Sequence, residues 1–338
     1  MSDDPRLRHA GPPPPPRADR PDRVRIATRG SDLALWQATW IAGRLQDVGV
    51  ASELIRITTQ GDVDGRPFAQ LGGAGFFVKS VQEAVLDGRA EMAVHSCKDL
   101  PSAATDGLEI AALPGRADPR DVLLVRPEAY ARDARPSTGD ATTDAPLLPL
   151  REGATVGTSA VRRRDQLLWH RPDLTVAELR GNVPTRIAKL HEGRYDAIVI
   201  AAAGLERLGL RPSGVQVVPL DPERFLPAPA QGALALEIRR DDAPLAAVAT
   251  ELHDLEAYPT LAAERGLMGL IQGGCQLSLG AYAQRDRDGR LSLRAWYRGH
   301  GVHVQHARAE EAALLAYDAL GRPDPRTERT SSAAARGA

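Results

Sequence analysis

Cysteine, aromatic side chains and excess charge are all scarce in this 338-residue chain, and each shortage closes off a class of protein. The two cysteines, Cys97 and Cys275, lie far apart and outside any C-x-x-C or Cys/His spacing. A disulfide framework and a zinc site are therefore not indicated, and a reducing cytoplasm fits. Formal net charge is −1, so nucleic acid would meet no overall positive field, and any affinity for an anion must come from local clustering of Arg and Lys. No stretch approaches the roughly 18 apolar residues that a membrane span needs. The N-terminal run GPPPPPRADRPDR carries proline and charge where a secretory signal has an apolar core, so a soluble, unexported protein is expected.

What is present is an ordinary globular composition, 43% hydrophobic and 26% charged with 4% aromatics, in a chain too long for one simple core. Two or three domains are expected. Residues 1–21, rich in proline and charge, and 324–338, rich in Arg, Ser and Ala, read as disordered tails. From Val24 strand-like and helix-like segments alternate. VRIAT is followed by Leu35, Ala38, Ala42, Leu45 and Val48 at helical spacing, with Ser31 and Asp32 placed to cap that helix. Apolar, β-branched runs at 54–58, 92–96, 108–113 and 122–125 predict strands, and 78–86 an amphipathic helix. The pattern lapses from Arg126 to about Pro149, a Pro-, Asp-, Thr- and Ala-rich stretch that reads as a mobile insertion. It resumes as strand 155–158, helix 161–170, strand 175–179, helix 185–191 and strand 197–201, then strand 233–239 and a helical stretch over 245–271. LSLGAYAQ, LSLRAWY and VHVQHAR alternate with period two around turns before a last helix near 310–320. The expected fold class is α/β, two such units followed by a smaller α+β unit with an antiparallel sheet.

Basic and hydroxylic residues gather at predicted strand ends, where open α/β sheets place ligand-binding loops. RIATRGSDLALWQ puts Arg29 and Ser31 ahead of a helix, whose positive end and backbone N–H groups favour a carboxylate. AVHSCKDLP runs a strand into Lys98 and Asp99, closed by Pro101. Adjacent strand residues point to opposite faces, which argues against a mutual salt bridge and lets Asp99 face a ligand to stabilise developing positive charge. GTSAVRRRDQL sets Thr158 and Ser159 at a helix start with Arg162, Arg163 and Arg164; LRGNVPTRIAKL adds Arg180 and Arg186, and GLERLGL adds Arg207. Arginine's planar fork binds carboxylates in bidentate fashion, so this many cations in a nearly neutral chain predict a ligand with several negative charges. Each signal alone has a plainer reading. An Arg at a helix start is usually solvated, the reading kept for Arg164; a Lys-Asp step is usually an exposed pair, and a lone cysteine usually core filler. The same pattern would also suit a two-lobed module that merely holds an organic anion.

The combination is more specific. RIATRGS, LALWQ, the AVHS-KDLP strand end, DPRD at 118–121, GTS--RR, LRGN--TR, YDAIV-A-AGL-RLGL, LPAPAQGALALE, AER at 263–265 and GGCQ at 273–276 stand in one order along the chain. In these strings the chain resembles the hydroxymethylbilane synthases, or porphobilinogen deaminases, over about residues 24–320. The resemblance implies two periplasmic-binding-protein-like α/β domains around a cleft plus a smaller C-terminal α+β domain. Domain 1 would span 22–115 and 227–247, domain 2 116–226, and domain 3 248–323. It implies a monomeric, cytoplasmic transferase of tetrapyrrole (haem) biosynthesis with no metal, nucleic-acid or membrane partner. Such an enzyme condenses four porphobilinogen molecules head to tail onto a covalently bound dipyrromethane, with loss of ammonia, and hydrolyses off linear hydroxymethylbilane.

By motif position, the resemblance makes Cys275 the thioether anchor of the dipyrromethane cofactor and Cys97 a structural residue where the family often has methionine. Asp99 would be catalytic, holding pyrrole N–H groups and stabilising the cation left when ammonia departs. Lys98, Thr158, Ser159, Arg162, Arg163 and Arg180 would bind the cofactor, and Arg29, Ser31, Gln37, Phe77, Arg186 and Arg207 the substrate. Every porphobilinogen bears an acetate and a propionate, the polyanion that the arginines call for. This chain departs from the family's pattern at Gln70 and Ala74, where lid lysines are frequent, at Ala160, where a serine is frequent, and at Val183-Pro184 before Arg186.

Overall fold

The computed structural model describes residues 20–58, 78–131, 146–272 and 277–324. In chain order the elements begin with β1 (Arg23–Arg29), α1 (Asp32–Asp47), β2 (Ala51–Ile57), α2 (Lys79–Leu86), β3 (Met92–Ser96), β4 (Leu108–Ala112) and β5 (Asp121–Val125). They continue with β6 (Thr155–Gly157), α3 (Val161–His170), β7 (Thr175–Ala177), α4 (Val183–His191), β8 (Ala197–Ala201), α5 (Ala202–Arg207), β9 (Gln216–Pro219) and β10 (Leu234–Arg239). The last are α6 (Ala243–Glu251), α7 (Tyr258–Ile271), β11 (Leu279–Arg285), β12 (Leu291–Tyr297), β13 (His300–His306) and α8 (Ala309–Ala319). Two compact units result. Of the described residues, one holds those up to His95 with Ala104–Gly115 and Leu234–Leu255; the other holds Ser96–Ala103, those between Arg116 and Ala233 and those from Glu256 onward.

The first unit is built on a sheet of order β2-β1-β3-β10-β4, with β1 parallel to β2 and β3 and β10 antiparallel to β4. Period-two alternation sends Ile26 and Met92 to one face, against Ile41 and Leu45 of α1 and Leu245 and Val248 of α6. Ala27 and Ala93 go to the other face, against Val81 and Val85 of α2. Helices on both faces explain why the central strand β3 reads as a nearly continuous apolar run. Ser31 caps α1, its Oγ accepting from the Ala34 N–H at 3.4 Å.

The second unit carries a sheet of order β7-β6-β8-β5-β9, in which β6 runs parallel to β7 and β8 while β5 is antiparallel to β8 and β9. Leu123 and Val125 pack with Leu167 and Phe225 on one face, and Val122 and Leu124 with Leu179, Ile187 and Leu190 on the other. A separate antiparallel sheet, β11-β12-β13, packs its Leu279 and Leu293 against Leu267 of α7 and Ala316 of α8. Inside this unit the carboxylate of Glu264 is fully buried and takes four bonds. Arg116 donates in bidentate fashion at 2.8 and 2.9 Å, and the Ala230 and Ala283 N–H groups each donate at 2.7 Å.

Several elements differ from the sequence expectation. The helical stretch over 245–271 is two helices, α6 and α7, each with a proline in its first turn, where proline's missing N–H is no loss. Helix α5 and edge strand β9 were not expected. Both are short, six and four residues, so neither repeats its period often enough to stand out. The edges of the 126–149 insertion are ordered: Tyr130 bridges to Leu150, and Ala129, Leu147 and Leu148 are buried in the core. Cys97–Asp99 is a 3-10 turn and no longer strand, so strand alternation does not set where Lys98 and Asp99 point.

The residue before helix α3, Ala160, holds the N-cap position with extended backbone but has no side chain able to cap. Ala160→Ser would offer an acceptor to an open N–H of the first turn. It should stabilise the protein by about 1 kcal/mol, read as a higher urea midpoint at unchanged m value. An unmoved midpoint would mean that this helix end gains nothing from a cap.

Candidate functional site

Asp121 opens β5 and is fully buried. Its Oδ2 accepts from Arg162 Nη2 at 2.8 Å, and its Oδ1 from Arg163 Nη2 at 2.7 Å and from Gln231 Nε2 at 2.9 Å. Both arginines stand in the first turn of α3, and their remaining reach is also internal. Arg162 Nη1 donates to the Leu226 carbonyl at 2.5 Å, and Arg163 Nη1 to the Val199 carbonyl at 3.0 Å. Burial opposes ionisation of Asp121, but the two guanidinium groups outweigh it and hold the carboxyl well below the usual carboxylate range. Burial likewise lowers the Arg162 pKa, against the pull of Asp121.

Gln231 links this buried group to Lys98. Its Oε1 accepts from the Lys98 ammonium at 3.1 Å, while its Nε2 donates to the Pro119 carbonyl at 2.7 Å as well as to Asp121. Lys98 is half-buried. Burial and then the charge of Arg163 push its pKa down to about 8, against the pull of Asp99 and Asp121. Arg186 belongs to the same neighbourhood: its Nε donates to the Gly181 carbonyl at 2.7 Å, and burial and Arg163 lower it to about 10, with Asp99 acting in the opposite sense. Asp99 is itself half-buried. Its segment is braced from α7 by Arg265, which donates to the carbonyls of Cys97 at 3.3 Å and Pro101 at 3.1 Å.

The structure thus brings Lys98, Asp99, Arg162, Arg163 and Arg186 into one electrostatic cluster. Arg207 donates to the carbonyl of Gly232, next to Gln231, and burial lowers its pKa. Thr158 and Ser159 stand just before α3. The Thr158 hydroxyl accepts from the Ala160 N–H, and the Ser159 hydroxyl donates to the Leu179 carbonyl at 2.5 Å. Arg180 lies 3.7 Å from Glu178. In the first unit Arg29 ends β1, Ser31 caps α1 and Gln37 is buried on that helix. Cys97 is fully buried, and burial pushes its thiol up to about 11, the state of a packing residue and not of a nucleophile. Cys275, Phe77, Gln70 and Ala74 lie outside the described residues. Sequence reasoning assigned no role to Asp121 or Gln231; the available signal was an acid at the head of a wholly apolar strand, in the DPRD string.

The second unit of this α/β protein thus sets half-buried cations around one half-buried carboxylate. Residues 24–247 match the family described as porphobilinogen deaminase, dipyromethane cofactor binding domain. The chain belongs to the porphobilinogen deaminase family. It is 45% identical over 278 residues to the porphobilinogen deaminase of Nitratidesulfovibrio vulgaris, covering 79% of this chain and 80% of that one. To the porphobilinogen deaminase of Oceanobacillus iheyensis it is 40% identical over 269 residues, covering 79% and 82%. Among solved structures it is similar to the periplasmic VFT2 domain of Bordetella pertussis BvgS, with a TM-score of 0.41 at 18% identity over 73% of this chain and 93% of that domain. No helix among the described residues is long and apolar enough to cross a membrane.

Asp121→Asn would leave two buried guanidinium groups facing a neutral amide and should cost about 3–5 kcal/mol of stability. A carboxyl held below its unfolded pKa contributes fully above about pH 4 and loses that contribution as pH falls through its lower folded value. The stability gap between wild type and variant should therefore be constant from pH 7 to about pH 4 and narrow below it. Denaturation curves across that range check both the size and the sign.

Proposed function

We propose that this chain is a hydroxymethylbilane synthase. It condenses four porphobilinogen molecules with release of ammonia and frees the linear tetrapyrrole by hydrolysis. The family match over residues 24–247 carries this reading, and the cluster around Asp99 supports it. The donor set fits a dipyrromethane bearing carboxylates and pyrrole N–H groups. Lys98 and Arg186 are half-buried cations held by neutral oxygens, and Asp99 is an anion among them. When bound, the dipyrromethane supplies a nucleophilic pyrrole carbon and the anchor of the growing chain.

The residues divide the work by charge. Lys98, Arg180 and Arg186, with Arg207 beside Gln231, hold carboxylates, and the Thr158–Ser159 turn lies at the same helix start. Arg162 and Arg163 contribute the field of a buried positive excess more than direct contacts, because they already serve Asp121. Asp99 accepts pyrrole N–H groups and stabilises the cation left when ammonia departs, the electrostatic role that a fixed carboxylate performs at low dielectric. In the first unit Arg29 and Ser31 at the N-terminus of α1, with Gln37, are assigned to substrate. Cys275 is assigned as the thioether anchor; the buried, protonated Cys97 is unsuited to it.

Intact-mass measurement of the purified protein tests the reading. The wild type should exceed its chain mass by a dipyrromethane, Cys275→Ser should not, and Cys97→Ala should keep the adduct and its activity. An unmodified wild-type chain after incubation with porphobilinogen refutes the proposal. Asp99→Asn should retain the adduct while tetrapyrrole output falls at least about 100-fold; normal output would remove Asp99 from the chemistry.

A further inference from the structure

Lys98 feels the charge of the buried Asp121 carboxylate, and the two are bridged by the side chain of Gln231. Among the described residues, its hydrogen-bond partner is the neutral Oε1 of Gln231 at 3.1 Å. The Gln231 amide cannot turn over, because both of its N–H groups are engaged, one by the Pro119 carbonyl at 2.7 Å and one by Asp121 Oδ1 at 2.9 Å. Its oxygen is therefore held toward Lys98. The amide is itself buried, and its segment is pinned by Arg116, whose Nε donates to the Gln231 carbonyl at 3.0 Å while its fork grips Glu264. An acceptor without charge fixes the ammonium's position but does not neutralise it, and an ammonium has three donors.

We propose that Gln231 is a positioning residue for the reaction, holding Lys98 in place between the buried Asp121 and a ligand carboxylate while keeping its charge uncommitted. This rests on the synthase reading for what the ligand is, but the linkage from Gln231 to Lys98 does not depend on it. The charged groups acting on the ammonium are Asp99 from its own turn, Asp121 from β5, and Arg162 and Arg163 from α3. A carboxylate at position 231 would pair with Lys98 directly and raise its titration. An apolar side chain there would remove the acceptor and lower it.

The chain contains three lysines, Lys79, Lys98 and Lys189, so lysine labelled with carbon-13 gives a readable set of side-chain signals in the intact holoenzyme. Lys98→Arg identifies the Lys98 signal. Its titration midpoint should rise by about one pH unit in Gln231→Glu and fall in Gln231→Leu. The KM for porphobilinogen should begin to climb at a correspondingly higher or lower pH, with kcat changing less. Lys98→Arg should abolish that alkaline rise, since a guanidinium stays charged. Unchanged midpoints in a folded variant, or loss of folding in both variants, would overturn the proposal and leave Gln231 a structural residue. A wild type that does not turn over porphobilinogen would instead defeat the synthase reading, while the midpoints would still decide the role of Gln231.

Discussion

The second unit depends on one interaction, the carboxylate of Asp121 shared between Arg162 and Arg163. Ions this deeply buried are tolerated only when hydrogen bonds satisfy the whole group, and here they do so by reaching into several elements. Arg162 holds the Leu226 carbonyl, Arg163 the Val199 carbonyl on β8, and Asp121 the amide of Gln231. The group joins β5, β8, α3 and the loop before β10. It also carries two positive charges against one negative, so a positive excess remains beneath Lys98, Asp99 and Arg186. Burial is the first reason for the lowered pKa values of Lys98 and Arg186, and that excess adds to it through Arg163, which acts on both. A neighbourhood of cations that discourage one another is one in which an arriving carboxylate gains more than it would at an isolated arginine.

The sequence showed the alternation of strands and helices clearly, because strands covered on both faces, such as β3, β5 and β8, are nearly continuous apolar runs. It also showed the change to period two in β11, β12 and β13, where side chains alternate between the core and the other face. Strand direction was not legible. Nothing in the composition of β5 marks it as the antiparallel member of an otherwise parallel sheet, since direction is decided by the connections. The Lys98-Asp99 step was read as strand, but Pro101 and the exit from β3 favour a tight 3-10 turn, which a string of residues reveals only through its neighbours.

The candidate site was legible as a set of charges and illegible as a set of partners. Arg162 and Arg163 were expected by their motif positions to meet a cofactor, and clustered arginines in a near-neutral chain were read as calling for an external anion. One of those anions is internal. Asp121 was visible in the DPRD string, yet an aspartate near arginines and prolines reads by default as surface, and only its burial reverses that reading. Gln231 was less visible still, because a neutral amide adds nothing to a count of charges. Its effect comes from geometry: two donors engaged leave the oxygen a single direction.

Two kinds of cation can be separated on this basis. Arg162 and Arg163 are buried and paired with a carboxylate, so they set the local field and the position of α3. Lys98 and Arg186 are half-buried, and each is held by a neutral oxygen, the Gln231 side chain in one case and the Gly181 carbonyl in the other. A carboxylate in the place of either oxygen would hold the cation as firmly but would cancel the charge that a ligand needs. A neutral acceptor separates placement from neutralisation. A site that must bind a ligand carrying several carboxylates, and release it again, gains from that separation, because its cations are ordered before the ligand arrives and no internal anion has to be displaced.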